Sequence, residues 1–130
     1  MAPGDAGARK RRRLSRSGEF DRVYREGSSH ATRFLVIYAF PREADESEPG
    51  EEVRLGVSAA RKVGGAVERN RVKRALREAF WSLSGDLPAG HDFVLVARPP
   101  LTELLEKDGA GAVASSLREA LGEALGDRFA

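Results

Sequence analysis

Seven basic side chains lie in one short stretch of the chain, residues 61–77, where Glu68 is the single acidic residue. Arginine pairs with phosphate oxygens through two parallel N–H donors, and lysine adds a mobile point charge. Gly64 and Gly65 lie inside the stretch and allow the backbone to approach a ligand closely. The pattern therefore predicts a surface for a polyanion, with a phosphate backbone as the expected partner. The basic residues are Arg61, Lys62, Arg69, Arg71, Lys73, Arg74 and Arg77.

The second half of this stretch has the apolar periodicity of a helix, which we predict from Val67 to Leu83. Residues 69, 73 and 77 recur at i, i+4 and i+8, so their charged groups form a ridge with steps of about 6 Å. That step is close to the phosphate repeat of an extended or A-form strand. Asn70 lies among the arginines, where its amide could bond a base edge, a 2′-hydroxyl or a metal-bound water. An ordinary exposed polar role for Asn70 is equally open.

Charge is segregated along the sequence, which the overall balance of 22 basic and 20 acidic residues conceals. Residues 1–16 hold six basic side chains against one acidic residue, and residues 61–77 hold seven against one. Because the net charge is only +2, the remaining residues carry −9 in total. Such segregation favours a basic binding surface on an otherwise acidic body over a solvated helix face beside a disordered tail.

Aromatic residues are the second candidate for binding chemistry. Phe20 and Tyr24 fall on a short predicted helix from Ser17 to Gly27. Phe34, Tyr38 and Phe40 fall on a predicted strand from Arg33 to Phe40. Beside a basic groove such rings can stack on unpaired bases, which contributes ~1–3 kcal/mol per base. Packing in the core is the alternative, and their hydroxyl groups make the two tyrosines the stronger groove candidates.

The remaining elements must position these residues. The sequence predicts a basic, disordered arm over residues 1–16 and a single domain over residues 17–126. Helices alternate with strands, which favours an α+β fold whose mixed sheet carries helices mainly on one face. Residues 41–52 are predicted to form an acidic, turn-rich loop. The further predicted elements are strands at Val53–Ala60 and Asp92–Ala97 and a last helix at Ala110–Leu125.

Composition excludes several classes of function. The chain has no cysteine, so disulfides, thiolate metal sites and cysteine catalysis are absent. No stretch approaches the ~20 apolar residues of a membrane span, and the basic N-terminus lacks the apolar run of a signal peptide, so we expect a cytoplasmic protein. His91 and Asp92 are neighbours on a predicted strand and point to opposite faces, which argues against a catalytic dyad. We identify no catalytic constellation, and any reaction would use the chemistry of a partner.

The stretch RLGVSAARKVGGAVERNRVKRALREAF resembles the signature of the bacterial ribonuclease P protein component. Its centre is the triplet Arg69-Asn70-Arg71. Two further segments agree: RLSRSGEFDRVYREG is similar to the first helix of the family, and HDFVLVARP is similar to its last strand. Together the three segments span about residues 13–125, which makes the match long and specific.

The resemblance implies an α/β sandwich ordered αβββαβα, with a mixed four-stranded sheet and a left-handed βαβ crossover, as in domain 2 of ribosomal protein S5. It adds one short strand near Ser29–Ala31. It also implies a protein subunit of a ribonucleoprotein endoribonuclease, in which a catalytic RNA with Mg²⁺ removes the 5′ leader of precursor tRNA. The Mg²⁺ would be held mainly by the RNA and the substrate, and no small-molecule substrate is expected.

The resemblance also assigns two binding surfaces, residue by residue. The single-stranded leader would occupy a cleft between the first helix and the sheet, lined by Phe20, Tyr24 and Tyr38. The catalytic RNA would face the basic set, which comprises Arg61, Lys62, Arg69, Asn70, Arg71, Lys73, Arg74 and Arg77.

Two positions depart from the family pattern. Ala60 stands where members often have serine, and Gly65 stands where asparagine is usual, so each removes a polar contact from the turn before the basic helix. A general or ribosomal RNA-binding protein without a role in cleavage is the main alternative function. A stand-alone nuclease is the third possibility, and it would need a catalytic group that we cannot name in this chain.

Overall fold

The computed structural model describes residues 11–14, 17–42 and 53–129. From α1 onward the helices and strands follow the predicted order αβββαβα, and the α+β fold class is confirmed. Short 3-10 turns precede α2, follow α2 and follow α3. The elements are β1 at Arg11–Arg13, α1 at Ser17–Glu26, β2 at Ser28–Ala31, β3 at Leu35–Pro41, β4 at Val53–Ala59, α2 at Ala66–Ser82, β5 at His91–Ala97 and α3 at Pro99–Leu125.

The strands form one mixed sheet in the order β1-β4-β5-β3-β2. β4 and β5 are adjacent and parallel, and α2 connects them, while β3 runs antiparallel to both β5 and β2. β2 is the short strand that the resemblance places near Ser29–Ala31. The register sets Val94 between Gly56 and Tyr38, so these three residues form a row across the middle of the sheet.

The first strand corrects the prediction of a disordered arm. β1 pairs in parallel with β4, with Arg11 opposite Val53, and the backbone N–H of Leu14 donates to the carbonyl of Leu55 at 2.9 Å. The Leu14 side chain is buried against Val23 and Val94. An arginine-rich composition gave no sign of this strand, because the pairing uses backbone groups and one buried leucine. The rest of the predicted arm, residues 1–10, 15 and 16, lies outside the described residues.

The two faces of the sheet are covered differently. Along β3, Leu35, Ile37 and Ala39 point into the main core, where α2 and α3 contribute buried residues such as Phe80 and Leu117. The alternate side chains of β3 point to α1, which packs a smaller cluster against the opposite face. One face of the sheet therefore carries the main core, and the other carries the smaller cluster under α1.

α3 begins 11 residues earlier than predicted, at Pro99 instead of Ala110. Pro99 and Pro100 follow closely after the predicted strand Asp92–Ala97, where prolines are also common as strand ends. Proline suits the first turn of a helix, where its missing N–H has no intrahelical acceptor. Gly109, with φ of 85°, interrupts the helix near the predicted start. The apolar spacing of Leu101, Leu104 and Leu105 was the available signal for this first part.

The other predicted elements agree with the structure to within two residues at each end. The predicted acidic loop lies almost entirely outside the described residues. None of the helices in the described part of the chain is long and apolar enough to cross a membrane.

Candidate nucleic-acid interface

α2 separates its apolar and basic residues onto two sides. Val72, Leu76 and Phe80 are buried against the sheet and α3, together with two alanines of the helix. The predicted RNA-facing residues Asn70, Arg71 and Arg74 are exposed, and Arg69, Lys73 and Arg77 are half-buried. The basic surface therefore exists because the helix directs its apolar periodicity into the core.

A short 3-10 turn, Arg61–Val63, holds the first two basic residues at the start of α2. Arg61 and Lys62 are exposed, whereas Val63 is buried and its carbonyl accepts a hydrogen bond from the Thr102 hydroxyl of α3 at 3.0 Å. This anchor fixes the turn against α3 and leaves both cations directed to solvent.

The two departures from the family pattern lie at the caps of this region. Ala60 precedes the 3-10 turn and Gly65 precedes α2, and neither residue has a polar side chain that could make a capping hydrogen bond. Gly64 has φ of 156°, and a Cβ atom there would lie 2.8 Å from the Cβ of Glu68. The chain thus turns closely into α2 without the polar caps that serine and asparagine would supply.

The exposed side of α2 borders a groove of about 630 Å³. Because residues 70, 74, 77 and 81 are spaced by three or four positions, they follow one stripe of the helix. Glu78 lies 3.5 Å from Arg74, but both side chains are largely exposed, so this ion pair leaves the groove cationic. The described residues that line the groove are Asn70, Arg71, Arg74, Arg77, Glu78 and Trp81.

The three predicted cleft residues come together on the α1 face of the sheet. The ring of Tyr24 lies 4.8 Å from that of Tyr38 in an edge-to-face arrangement and 6.3 Å from that of Phe20. Tyr24 is 39 % exposed, and the other two rings are half-buried. We call these three residues the aromatic row.

Gly56 and Ser58 of β4 hold the aromatic row in place, and sequence reasoning missed both. A Cβ atom on Gly56 would lie 2.5 Å from the Phe20 ring, so only glycine lets this ring rest on the sheet. Burial raises the pKa of the Tyr24 hydroxyl, while a hydrogen bond with Ser58 acts in the opposite direction. The weak signal in the sequence was a glycine inside a predicted strand, which often marks a close approach of another group.

A smaller cavity of about 190 Å³ adjoins Phe20. Arg77 borders both this cavity and the groove along α2, so the two predicted surfaces meet at this residue. Arg13 of β1 also lines the cavity. Sequence analysis placed Arg13 in a disordered arm and did not count it as a site residue.

A buried ionic cluster fixes α1 over the sheet. The Asp92 carboxylate is fully buried and accepts two hydrogen bonds from Arg54, each 2.7 Å long, and a third of 2.6 Å from Arg42. Arg54 also reaches Glu19 of α1 at 3.3 Å, and Arg22 of α1 lies 3.7 Å from the carboxylate. These contacts join the end of β3, β4 and β5 to the helix that carries the first two residues of the aromatic row.

His91, the neighbour of Asp92, lies on the other face of the sheet. Its ring stacks on Phe93 with the ring centres 5.8 Å apart, and its Nδ1–H donates to the carbonyl of Ala89 at 3.0 Å. Burial lowers the pKa of this imidazole. The two neighbours therefore serve separate clusters, and they form no dyad.

The residues that the structure describes contain no group of three or more histidine, aspartate or glutamate side chains that could hold a metal ion. On the α1 face, the described part of the chain gathers charged side chains around Asp92, whose carboxylate is already bonded to arginine. The chemistry that these surfaces offer is recognition: cations along α2 for phosphates, and a row of rings for unpaired bases.

Comparison with known proteins gives one consistent result. The sequence model of the family described as Ribonuclease P matches residues 8–121. The ribonuclease P protein component of Shouchella clausii is 39% identical over 116 residues, which cover 89% of this chain and 88% of that protein.

Solved structures give the same result. The RNase P protein of Staphylococcus aureus aligns with a TM-score of 0.76 at 30% identity, covering 93% of this chain and 100% of that one. The RNase P protein of Thermotoga maritima aligns with a TM-score of 0.73 at 30% identity, covering 85% and 96%.

Proposed function

The chain belongs to the ribonuclease P protein family, and we propose that it binds the catalytic RNA through α2 and the 5′ leader of precursor tRNA through the aromatic row. As a ribonuclease P protein it has an RNA partner. We assign the catalytic RNA to α2 and the leader to the aromatic row. The observation that carries it is the junction at Arg77, which borders both the α2 groove and the cavity beside Phe20. A single protein can therefore hold two RNAs against each other.

The α2 surface suits a folded RNA. Its cations project from a rigid helix that is anchored in the core, so they are positioned before the RNA arrives. Each cation that meets a phosphate releases a counterion, which makes binding strong at low salt and weak at high salt. These cations also reduce the repulsion between two RNA molecules, a role that Mg²⁺ otherwise fills. The protein would thereby lower the Mg²⁺ concentration that cleavage needs, with the ions themselves held by the RNA and the substrate.

The aromatic row suits a single strand. Base stacking needs an open π-face, which an unpaired leader offers and a duplex does not. The rings of Tyr24 and Tyr38 are arranged edge to face, so the two rings have different orientations. Successive bases of the leader would therefore contact surfaces of different orientation along the aromatic row. Burial raises the pKa of Tyr24 further above neutral pH, in the direction that favours the uncharged hydroxyl beside phosphates.

The reaction itself would belong to the RNA. The buried carboxylate of Asp92 is bonded to arginine, so it does not offer a free general base. The protein contributes by holding the leader beside the catalytic RNA, which raises the effective concentration of the substrate at the cleavage site. Processing of tRNA precursors would place the protein in the cytoplasm.

Binding of precursor tRNA tests the proposed division of surfaces. Tyr38→Ala removes a ring of the aromatic row, so the complex with ribonuclease P RNA should bind precursor tRNA about 5- to 150-fold more weakly, as expected for one stacked base. Its affinity for mature tRNA, which has no leader, should not change. Tyr38→Phe keeps the ring and should bind precursor tRNA as the wild type does.

Arg71→Ala serves as the matched variant for the other surface. It should weaken assembly of the protein with the ribonuclease P RNA and leave the preference for precursor over mature tRNA intact. Equal loss of assembly and leader preference in both variants would contradict separate surfaces. A wild-type protein that binds RNA without any leader preference would point to a general RNA-binding protein.

A further inference from the structure

The cavity of about 190 Å³ beside Phe20 lies at the edge of the sheet. β1 pairs with β4 only at Val53–Leu55, so within the described ranges no strand continues beside β4 on that side from Gly56 onward. Phe20 reaches the cavity from the α1 face, and Arg77 reaches it from α2, which packs on the other face. The cavity thus lies where the aromatic row and α2 approach each other around the sheet edge.

The lining of this cavity combines two arginines with an apolar wall. Arg13 of β1 and Arg77 of α2 are its charged residues, and the other described lining residues are glycine or apolar, among them Leu14 and Val57. No carboxylate is among the described residues of the lining. By contrast, the buried arginines on the α1 face are bonded to the carboxylate of Asp92. An anion from outside the chain would therefore complement the charge of the cavity.

The size of the cavity suits a single phosphate group. Pockets that enclose a small molecule usually measure ~300–1,000 Å³, so about 190 Å³ favours one small group over a whole nucleotide. Arginine donates two parallel hydrogen bonds to the oxygens of a phosphate. Arg77 is half-buried, so water screens its charge less than at a fully exposed position, and its attraction for an anion is stronger.

We propose that this cavity is a phosphate site, in which Arg13 and Arg77 bind one phosphodiester group of RNA. The inference rests on the proposed function, because Arg77 also borders the α2 groove and Phe20 belongs to the aromatic row. The leader and the catalytic RNA both carry this group, and an Arg13 variant distinguishes the two sources. A phosphate bound here would fix the RNA backbone beside the aromatic row, with β1 contributing one of the two binding residues.

Titration of the full chain with inorganic phosphate tests the site without any RNA. The backbone amide signals of Gly56 and Val57, which line the cavity, should shift and reach saturation in ¹H–¹⁵N NMR spectra. Sodium chloride at the same ionic strength should not produce these shifts. Absence of saturable shifts at both residues would overturn the inference. This measurement needs no variant, so it remains decisive if a substitution fails to fold.

Matched variants separate a phosphate site from a general effect of charge. Arg13→Gln leaves the backbone pairing of β1 in place and should weaken phosphate binding about 10- to 100-fold, as expected for the loss of a charged hydrogen bond. Arg13→Lys keeps the charge without the two parallel donors and should recover part of that loss. Arg118→Gln removes the same charge from an exposed position of α3 and should bind phosphate as the wild type does. Equal losses in Arg13→Gln and Arg118→Gln would overturn the inference, because net charge alone would then explain the binding.

The RNA complexes identify the source of the phosphodiester. If the leader supplies it, Arg13→Gln should weaken binding of precursor tRNA to the complex with ribonuclease P RNA and leave the affinity for mature tRNA unchanged. If the catalytic RNA supplies it, the same variant should weaken assembly of the protein with that RNA. Wild-type values in both measurements would overturn the binding of an RNA phosphodiester, even if the protein alone binds inorganic phosphate.

The outcomes distinguish this inference from the proposed function. Wild-type behaviour of Arg13→Gln, with the expected losses in Tyr38→Ala and Arg71→Ala, would overturn the phosphate site and leave the two proposed surfaces standing. A loss in Arg13→Gln without those losses would support the phosphate site and contradict the division of surfaces.

Discussion

At the scale of single residues, one missing Cβ atom decides how the aromatic row is built. Phe20 rests on Gly56, where any side chain would collide with the ring. The position of Phe20 also sets the positions of the two tyrosines. Tyr24 lies one helical turn after Phe20, and its ring contacts that of Tyr38. The geometry of the candidate leader site thus depends on Gly56.

Gly56→Ala should displace the Phe20 ring and α1 from the sheet. We expect a stability loss of ~1–3 kcal/mol, as for other overpacked sites, together with weaker binding of precursor tRNA. Denaturant unfolding measures the first effect, and affinity of the complex with ribonuclease P RNA measures the second. Gly111→Ala is the matched control, since nothing lies within 4 Å of that position in α3.

The double variant Gly56→Ala with Phe20→Leu separates the clash from other causes. A smaller, flexible side chain should relieve the overlap and restore part of the stability, although it cannot restore stacking. No recovery in the double variant would show that the ring is not the obstacle.

His91 makes stability depend on pH. Burial lowers its pKa below the ordinary value of 6.5, so the unfolded chain binds a proton more readily than the folded one. Among the described residues none bonds to the buried Nε2 atom, so protonation there gains no acceptor. The contribution of the neutral ring is complete above the unfolded pKa and is lost as the pH falls below it.

The free energy of unfolding should therefore fall between about pH 7.5 and about pH 5.5, and His91→Phe should make that fall smaller. Urea unfolding of both proteins at the two pH values measures the difference. Equal falls in the two proteins would contradict a role for His91.

At the scale of elements, α1 is held by ionic contacts as well as by apolar contacts. Asp92 lies near the start of β5 and contacts Arg22, Arg42 and Arg54. Arg54 also contacts Glu19 of α1. Removing one member of such a buried cluster leaves the other charges without compensation. The position of the aromatic row above the sheet thus depends on an ionic cluster that sequence analysis did not find.

Asp92→Asn should destabilise the fold by ~3–5 kcal/mol, because buried arginines lose their anion. Glu78→Gln removes an acidic partner of arginine as well, but from an exposed pair, and should cost less than ~1 kcal/mol. Thermal unfolding of the two variants gives the comparison. Similar small losses in both would show that Asp92 does not organise α1.

The elements also show where sequence reasoning succeeds. α2 was predicted to within one residue at each end because its apolar period runs through the whole helix. β1 was missed because backbone pairing at a sheet edge leaves little trace in an arginine-rich composition. The first part of α3 was missed because prolines serve both as strand ends and as helix starts.

At the scale of the whole molecule, the fold separates two kinds of surface. One sheet face is fully used by α2 and α3, and α2 directs its cations away from it. The opposite face is only partly covered by α1, which leaves the aromatic row accessible. The charge segregation in the sequence predicted the first surface, and the family resemblance predicted the second.

The junction of the two surfaces at Arg77 was not predictable. It depends on the distance between elements that are far apart in sequence, and no local pattern reports that distance. Sequence analysis missed Arg13 and Ser58 for the same reason. Arg13 lines the cavity beside Phe20, and Ser58 forms a hydrogen bond with Tyr24, because the fold brings these residues together. Residue types were thus visible in the sequence, and their shared location was not.

Cleavage of a precursor tRNA by a bacterial ribonuclease P RNA at low Mg²⁺, with and without this protein, tests the central claim most directly. We predict cleavage at the mature 5′ end when both are present and little cleavage when either is alone. No enhancement by a protein that still binds the RNA would contradict the claim, and so would cleavage by the protein alone.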